Sequence, residues 1–390
     1  MLKRFSVCNY KNFKDKLEIR FDNVSGYKFS EDCINNGLIS KMIIYGKNAT
    51  GKTNLGTAIT DIFDLIIGGT FYRRSDEMYI VNADNIYSPI QFSYTFVFDD
   101  KEVLYEYSKN NNNHLLSEAL IVGGEQVFSF NYQEHLFEYK GLHLIDADDN
   151  GAHKYIADLK EMDQADEIDD SERIQCFLRW LLAYNSYSEG SLSEKISNYV
   201  RRMRMVSSAS PIPFMRKYPP NRAFFNHLSE EKNLRQIEKF LNEMGVECEL
   251  VLKKNADDTL ELFFKHDTLI PFFSTASSGT RALFDLYRRI IFSGARIATF
   301  LYLDEFDAFY HYSMSEAVLN YIKKEYPDTQ VVFTTHNTNL LSNRIMRPDC
   351  LFVLSRSGKL TSYTDATSRE LREGHNLAKM YISGEFEDYE

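Results

Sequence analysis

Apolar residues recur along this chain in changing rhythms. At the start the period is two: Leu2-Lys3-Arg4-Phe5-Ser6-Val7 alternates, a polar turn intervenes, and Leu17-Glu18-Ile19-Arg20-Phe21 alternates again. Both segments predict strands with one buried face. Residues 23–40 carry Gly, Ser, Asn and Asp and predict loop with a short apolar segment. The unbroken run Met42-Ile43-Ile44-Tyr45 predicts a buried strand, and Leu55, Ala58, Ile59, Ile62, Phe63 and Ile66 follow at helical spacing until Gly68-Gly69 stops them. From about 89 to 139 period two returns, in 90–98, in 103–107 and in two or three further strands, with turns at 110–113 and at Gly123-Gly124. That pattern is an antiparallel meander, not a strand–helix alternation.

The second half turns helical and then mixed. Ser171 opens a predicted helix through about Tyr187, Ser191 or Ser193 opens another through about Met205, and Glu230-Glu231 starts one that Gly245 ends. Heptads are too short for an extended coiled coil. Residues 246–253 and 259–265 predict a hairpin. The helix Ala282-Leu283-Phe284-Leu286-Tyr287 and two buried strands, 300–303 and 331–334, complete the pattern.

Composition narrows the class without naming a function. The 390 residues are 44% hydrophobic and 26% charged, ordinary for a globular chain. The five cysteines stand singly, as thiols of a reduced cytoplasm do, and no 18-residue apolar run suggests a membrane span. A net charge of −11 gives no global attraction for nucleic acid, so any such contact must be local. Residues 144–172 hold eleven Asp/Glu against two Lys. A solvated connector is the plainer reading; a partner-docking or nucleic-acid-mimicking segment is the other. From Lys195 to Ser229 there are seven Lys/Arg and no acid, Arg201, Arg202 and Arg204 among them. They read either as a face balancing the acidic stretch or as an anion site.

Chemistry enters with Gly46-Lys47-Asn48-Ala49-Thr50-Gly51-Lys52-Thr53-Asn54, placed between the apolar strand and the apolar helix. Gly-x-x-x-x-Gly-Lys-Thr in that setting is a phosphate loop. Its backbone N–H groups and the helix N-terminus cradle phosphate, Lys52 supplies charge, and Thr53 offers a hydroxyl to Mg2+. The chain therefore binds a nucleoside triphosphate. Phe300-Leu301-Tyr302-Leu303-Asp304-Glu305 delivers two carboxylates at the end of a buried strand. Asp304 is placed to hold Mg2+ through water, and Glu305 to polarise an attacking water. The strand at 331–335 ends on His336, within reach of a γ-phosphate. Ser277-Ser278-Gly279-Thr280 opens a helix; Ser278 could cap it, and the same residues could cradle an anion.

In that order these motifs resemble the ABC-type ATPase heads of the RecF, SMC, Rad50 and OLD group, in particular the bacterial AAA family ATPases of phage-defence and abortive-infection operons. The segments Asn9-Tyr10-Lys11-Asn12-Phe13, 335–341 and 375–384 extend the resemblance over nearly the whole chain. It implies an α/β fold, a P-loop NTPase head with a mixed central sheet, an antiparallel β-subdomain and a helical insertion. The expected division is 1–140 with the phosphate loop and meander, 141–245 as acidic connector and helical or basic insertion, and 246–390 as C-terminal lobe. By resemblance Ser277, Ser278 and Gly279 match the signature motif that meets ATP on another protomer, Asp307 the D-loop and His336 the switch histidine. A family Q-loop glutamine has no match: Gln91 lies too early, Cys176–Trp180 lacks one, and Gln164 and Gln175 are only nearby. No fused nuclease domain is expected after Gly384.

The function these features imply is a slow ATPase in the cytoplasm. It dimerises on ATP with Mg2+ and controls a separate effector, a nuclease or toxin of the same operon. The alternative is a DNA repair or recombination ATPase contacting DNA through Arg201, Arg202 and Arg204.

Overall fold

The computed structural model describes residues 1–68, 80–147, 149–162, 176–184, 187–207, 222–256, 258–291, 298–309, 311–386 and 389. The opening strands β1 (Leu2–Cys8) and β2 (Leu17–Arg20) form the expected antiparallel pair. A small hairpin, β3 (Ile34–Asn35) with β4 (Leu38–Ile39), lies in the segment read as loop. Next come β5 (Lys41–Tyr45), buried throughout, and helix α1 (Lys52–Ile67), which ends at Gly68. The meander comprises β6 (Ile90–Phe98), β7 (Lys101–Lys109), β8 (Leu115–Val122), β9 (Glu125–Asn131) and β10 (Leu136–Glu138).

β6 pairs with β1, so the opening hairpin and the meander are one seven-stranded antiparallel sheet. Its inner face carries Phe5, Val7, Phe92, Tyr94, Phe96, Tyr105 and Tyr107, all buried, as the alternation requires. The helix α1 is tied to that face by polar groups. The Tyr94 hydroxyl donates to the Ala58 carbonyl at 2.8 Å, the Tyr107 hydroxyl donates to Asp61 at 2.8 Å, and the Lys109 ammonium pairs with the same Asp61 carboxylate. A buried ion pair of this kind is satisfied only while both partners stay in place.

The acidic stretch is only partly connector. Its middle forms α2 (Asp149–Met162), because Ala152, Tyr155 and Leu159 recur on one face and are buried. The helix expected from Ser171 is described as α3 (Phe177–Tyr184); Ser171 itself lies outside the described residues. Ser191 caps α4 (Leu192–Arg201), its Oγ accepting from the Glu194 N–H at 3.2 Å. That helix stops short of Met205. Met203 and Met205 are buried while Arg204 is not, a period-two pattern, and 203–207 forms the parallel strand β11 (Met203–Ser207).

The C-terminal half holds α5 (Arg222–Leu228) and α6 (Glu231–Glu243), then β12 (Leu250–Lys254), β13 (Leu260–Lys265) and β14 (Leu269–Pro271). The expected hairpin is thus a three-stranded sheet. After α7 (Phe272–Thr275) and α8 (Ser278–Ile291) come β15 (Phe300–Asp304), α9 (Tyr312–Glu325) and β16 (Gln330–Thr335). β17 (Leu351–Leu354), β18 (Leu360–Ser362) and α10 (Leu377–Ile382) close the chain. The second large sheet has the order β11-β15-β16-β5-β17-β18, parallel except for the last pair. Helix α1 crosses it closely: a Cβ on Gly56 would lie 2.5 Å from the Tyr302 ring.

One buried acid joins α3 to the meander. Glu118 of β8 accepts from the Tyr105 hydroxyl at 2.8 Å and the Tyr132 hydroxyl at 2.5 Å, and from the Phe177 and Leu178 N–H groups that begin α3. A carboxylate suits that helix end. Replacing Glu118 with Ala removes the acceptor shared by four donors and is expected to lower unfolding stability by about 3 kcal/mol, less for Gln. Urea denaturation reads this, and an unchanged midpoint would remove the clamp.

A second prediction concerns Lys41, fully buried at the start of β5, whose Nζ donates to the Pro327 and Thr329 carbonyls at 3.1 and 2.9 Å. Burial pulls its pKa down to about 8. The unfolded chain, near 10.4, then binds more protons between those two values, so stability rises with pH across that window. Denaturation at pH 7.5 and 9.5 tests the sign: Lys41→Met is expected to lose this rise relative to wild type.

Candidate nucleotide-binding site

The loop from Gly46 to Gly51 joins the end of β5 to α1. A Cβ on Gly46 would sit 2.6 Å from Thr50 Oγ1 and 3.1 Å from the Leu354 carbonyl, so no larger residue fits there. Gly51 has φ +98°, which favours glycine, and Ala49 also lies in the left-handed region at φ 65°. Lys47, Asn48 and Ala49 form the exposed tip, and Thr50 closes the turn by donating its hydroxyl to the Lys47 carbonyl at 3.0 Å. The Lys52 ammonium folds back over the loop, donating to the Gly46 and Lys47 carbonyls at 2.7 and 3.0 Å. Burial lowers its pKa, opposed by the nearby carboxylates of Glu305, Asp304 and Asp307.

Asp304 is the fixed centre of the site. It ends β15 with no exposed surface, and three hydroxyls from three elements donate to it. Thr53 Oγ1 and Ser207 Oγ reach its Oδ2 at 2.8 and 2.9 Å, and Thr334 Oγ1 reaches Oδ1 at 2.9 Å. Thr53 and Asp304 therefore bring two hard oxygen donors together beside the phosphate loop, a pair whose chemistry fits Mg2+.

Around this centre the strand tips bend outward. Glu305 leaves β15 with φ 47°, its N–H donating to Thr334 Oγ1 at 2.8 Å. Asp307 accepts from Thr335 Oγ1 at 2.7 Å, while its Oδ1 is buried without a hydrogen-bond partner among the described residues. Burial raises the Asp307 pKa, opposed first by the Thr335 hydrogen bond and less by neighbouring His336. His336 itself stands exposed just past the end of β16.

Ser277 and Ser278 are exposed at the start of α8. Ser277, not Ser278, caps the helix: its Oγ accepts from the Thr280 N–H at 3.0 Å. The turn that carries Asp307 reaches this helix start, since a Cβ on Gly279 would meet the Phe309 carbonyl at 3.2 Å.

Two residues escape the sequence reading. Asn12 donates to the Thr50 carbonyl at 3.1 Å and accepts from Asn54 at 2.7 Å, so the opening turn braces the phosphate loop. Ser207 reaches Asp304 from β11, where the period-two Met203/Met205 alternation was the available signal. Gln91 lies on β6, paired with Cys8 and Ser108, and Gln164 and Gln175 lie outside the described residues.

The basic island is less free than its composition suggests. Arg204 donates to the Arg201 and Met203 carbonyls at 2.7 Å and lies over the Phe63 ring, and Arg201 Nε donates to Ser197. Arg202 Nε is buried without a partner among the described residues. Of the three, only Arg201 is exposed; Arg216 and Lys217 lie outside the described residues.

A parallel sheet ending in a phosphate loop, a paired Thr53–Asp304 and a flanking antiparallel sheet define a P-loop nucleotide-binding head of the ABC ATPase type. Residues 41–342 match the family described as "AAA domain, putative AbiEii toxin, Type IV TA system", and the chain belongs to that family. Among solved structures it is similar to an SMC head bound to the C-terminal winged-helix domain of ScpA, at 15% identity and TM-score 0.47, covering 93% of this chain and 97% of that one. An SMC head domain from Thermotoga maritima shows 13% identity and TM-score 0.42 over 93% and 98% of the two chains. No curated protein matches. Among the described residues there is no cluster of three or more metal-ligating side chains, and no helix is long and apolar enough to cross a membrane.

The third prediction tests Ser207. Ser207→Ala leaves Asp304 two donors of three, and the Mg2+ concentration for half-maximal ATP turnover is expected to rise several-fold. Metal-free ATP binding stays unchanged. An unaltered Mg2+ dependence would make the contact merely structural.

Proposed function

We propose that the chain is an ATP-dependent switch: it binds ATP between two copies of itself, hydrolyses it slowly, and thereby controls a separate effector protein in defence against phage. The observation that carries the reading is the division of the site. Lys52, Thr53 and Asp304 converge at the loop, whereas Ser277 and Ser278 lie open to solvent on α8. A second copy, arranged head to tail, would bring those hydroxyls and the N-terminus of α8 to the γ-phosphate.

In that complex the backbone N–H groups of 46–51 and the N-terminus of α1 hold the phosphates, and Lys52 exchanges its carbonyl partners for them. Thr53 and Asp304 would hold Mg2+, which would supply positive charge against the phosphates. Glu305 accepts a proton from the attacking water, and His336, at the adjacent strand tip, contacts the γ-phosphate. Asp307, buried and held by Thr335, follows Glu305 in the turn after β15, and that turn would face the partner copy. The family description names a putative toxin of a toxin–antitoxin system, which supports a partner protein encoded alongside; a nuclease or toxin is the effector class proposed. The engagement of Arg204 within the fold weighs against direct DNA contact as the primary role.

Glu305→Gln is expected to slow turnover by about 100-fold or more and to trap an ATP-bound dimer, visible by light scattering. Lys52→Ala should abolish nucleotide binding, and Ser278→Arg should leave binding intact while preventing ATP-induced dimerisation. Normal turnover in Glu305→Gln would rule it out as the base. A monomer under trapping conditions would overturn the composite site.

A further inference from the structure

The seven-stranded sheet turns one face to α1 and, among the described residues, leaves the other open. On the open face the register aligns Ser6, Ser93, Glu106, Ala119 and Ser129 across five neighbouring strands. The next row aligns Gln91, Ser108, Ser117 and Asn131. Open antiparallel faces are ordinarily held by cross-strand pairs of long or β-branched side chains. Serine and alanine add little of that, and the Ser108 and Ser117 hydroxyls bond to each other at 2.7 Å. The missing bulk leaves a trough of about 580 Å³.

Leu104 and Ile121 face each other in a neighbouring row and are only half-buried, so one margin of the trough is aliphatic. Charge is distributed unevenly around it. Ser6 pairs with Glu18 of β2 and Ser129 with Glu138 of β10, so the first row ends in a carboxylate on each side, and Glu106 at its middle is exposed and enters no ion pair among the described residues. The cations at the margin are already paired, Lys16 with Glu18, Arg4 with Asp22 and Lys3 with Glu102.

We propose that this trough seats an α-helix of a separate protein, laid across the strands, with small and aliphatic residues on its contacting face and a Lys or Arg that meets Glu106. Five strands at about 4.8 Å spacing span roughly 20 Å, the length of about 13 helical residues. Small side chains on the sheet let the helix axis approach closely, the serine hydroxyls satisfy polar groups at its flanks, and the unpaired central carboxylate selects a basic partner. The face lies on the opposite side of the sheet from α1, so the proposal stands whether or not ATP is hydrolysed.

The test places the photo-crosslinking residue p-benzoylphenylalanine at Ser93 or Ser117 of the full chain, expressed in the organism that encodes it, and sequences the peptides captured on irradiation. The expected product is a segment of another protein with helical amphipathic periodicity and a Lys or Arg on its contacting face. Adding Glu106→Lys should lower the yield at least about five-fold, as should Ser129→Arg, with circular dichroism and ATP binding unchanged. A crosslink only to a second copy of this chain, to an acidic or non-helical segment, or to nothing would overturn the proposal. So would a yield indifferent to both substitutions.

Discussion

A fully buried carboxylate cannot be left without donors, and Asp304 receives three hydroxyls from three separately folded elements. Thr53 belongs to the helix after the phosphate loop, Thr334 to the neighbouring strand, and Ser207 to β11, the strand that follows α4. Each can donate only if its element lies in register. The acid thus reports on the placement of the loop helix, the sheet core and β11 together. A displacement of any one leaves a desolvated charge short of a partner, which gives the core of the head a sharply defined arrangement.

The loop helix carries a second obligation at its middle. Asp61 binds Tyr107 and Lys109 of the antiparallel sheet, while Tyr94 donates to the helix backbone at Ala58. One helix therefore bridges two sheets, its start serving Asp304 and its middle serving the aromatic inner face. Gly56 between these points permits the close crossing over Tyr302. The outer sheet is in this way mechanically continuous with the phosphate loop. Asn12, on the turn after β1, adds a direct brace to the loop itself.

Much of this was legible in the chain, and the rest was hidden for definable reasons. The phosphate loop, the buried strands at 42–45 and 300–303 and the helix after Thr53 follow from local pattern, because apolar runs and glycine spacing are strong signals. The pairing of β1 with β6 joins residues far apart in sequence, and no local periodicity encodes it. β11 is short and directly follows a helix whose own apolar spacing masks it. Glu118 reads as a solvent-facing strand residue until Tyr105, Tyr132 and the start of α3 are seen around it. Serine at 207 carries almost no information by itself; its meaning comes from the carboxylate beside it.

Glu305 holds its backbone at φ 47°, a region where a side chain costs roughly 1–2 kcal/mol and glycine costs little. The position is therefore one at which thermodynamic preference and chemistry pull apart. Sequence change favouring the folded state alone would drift toward glycine here and erase the proposed proton acceptor. If Glu305 is the proton acceptor, a carboxylate at this turn marks a head built to hydrolyse, and glycine there one built only to bind.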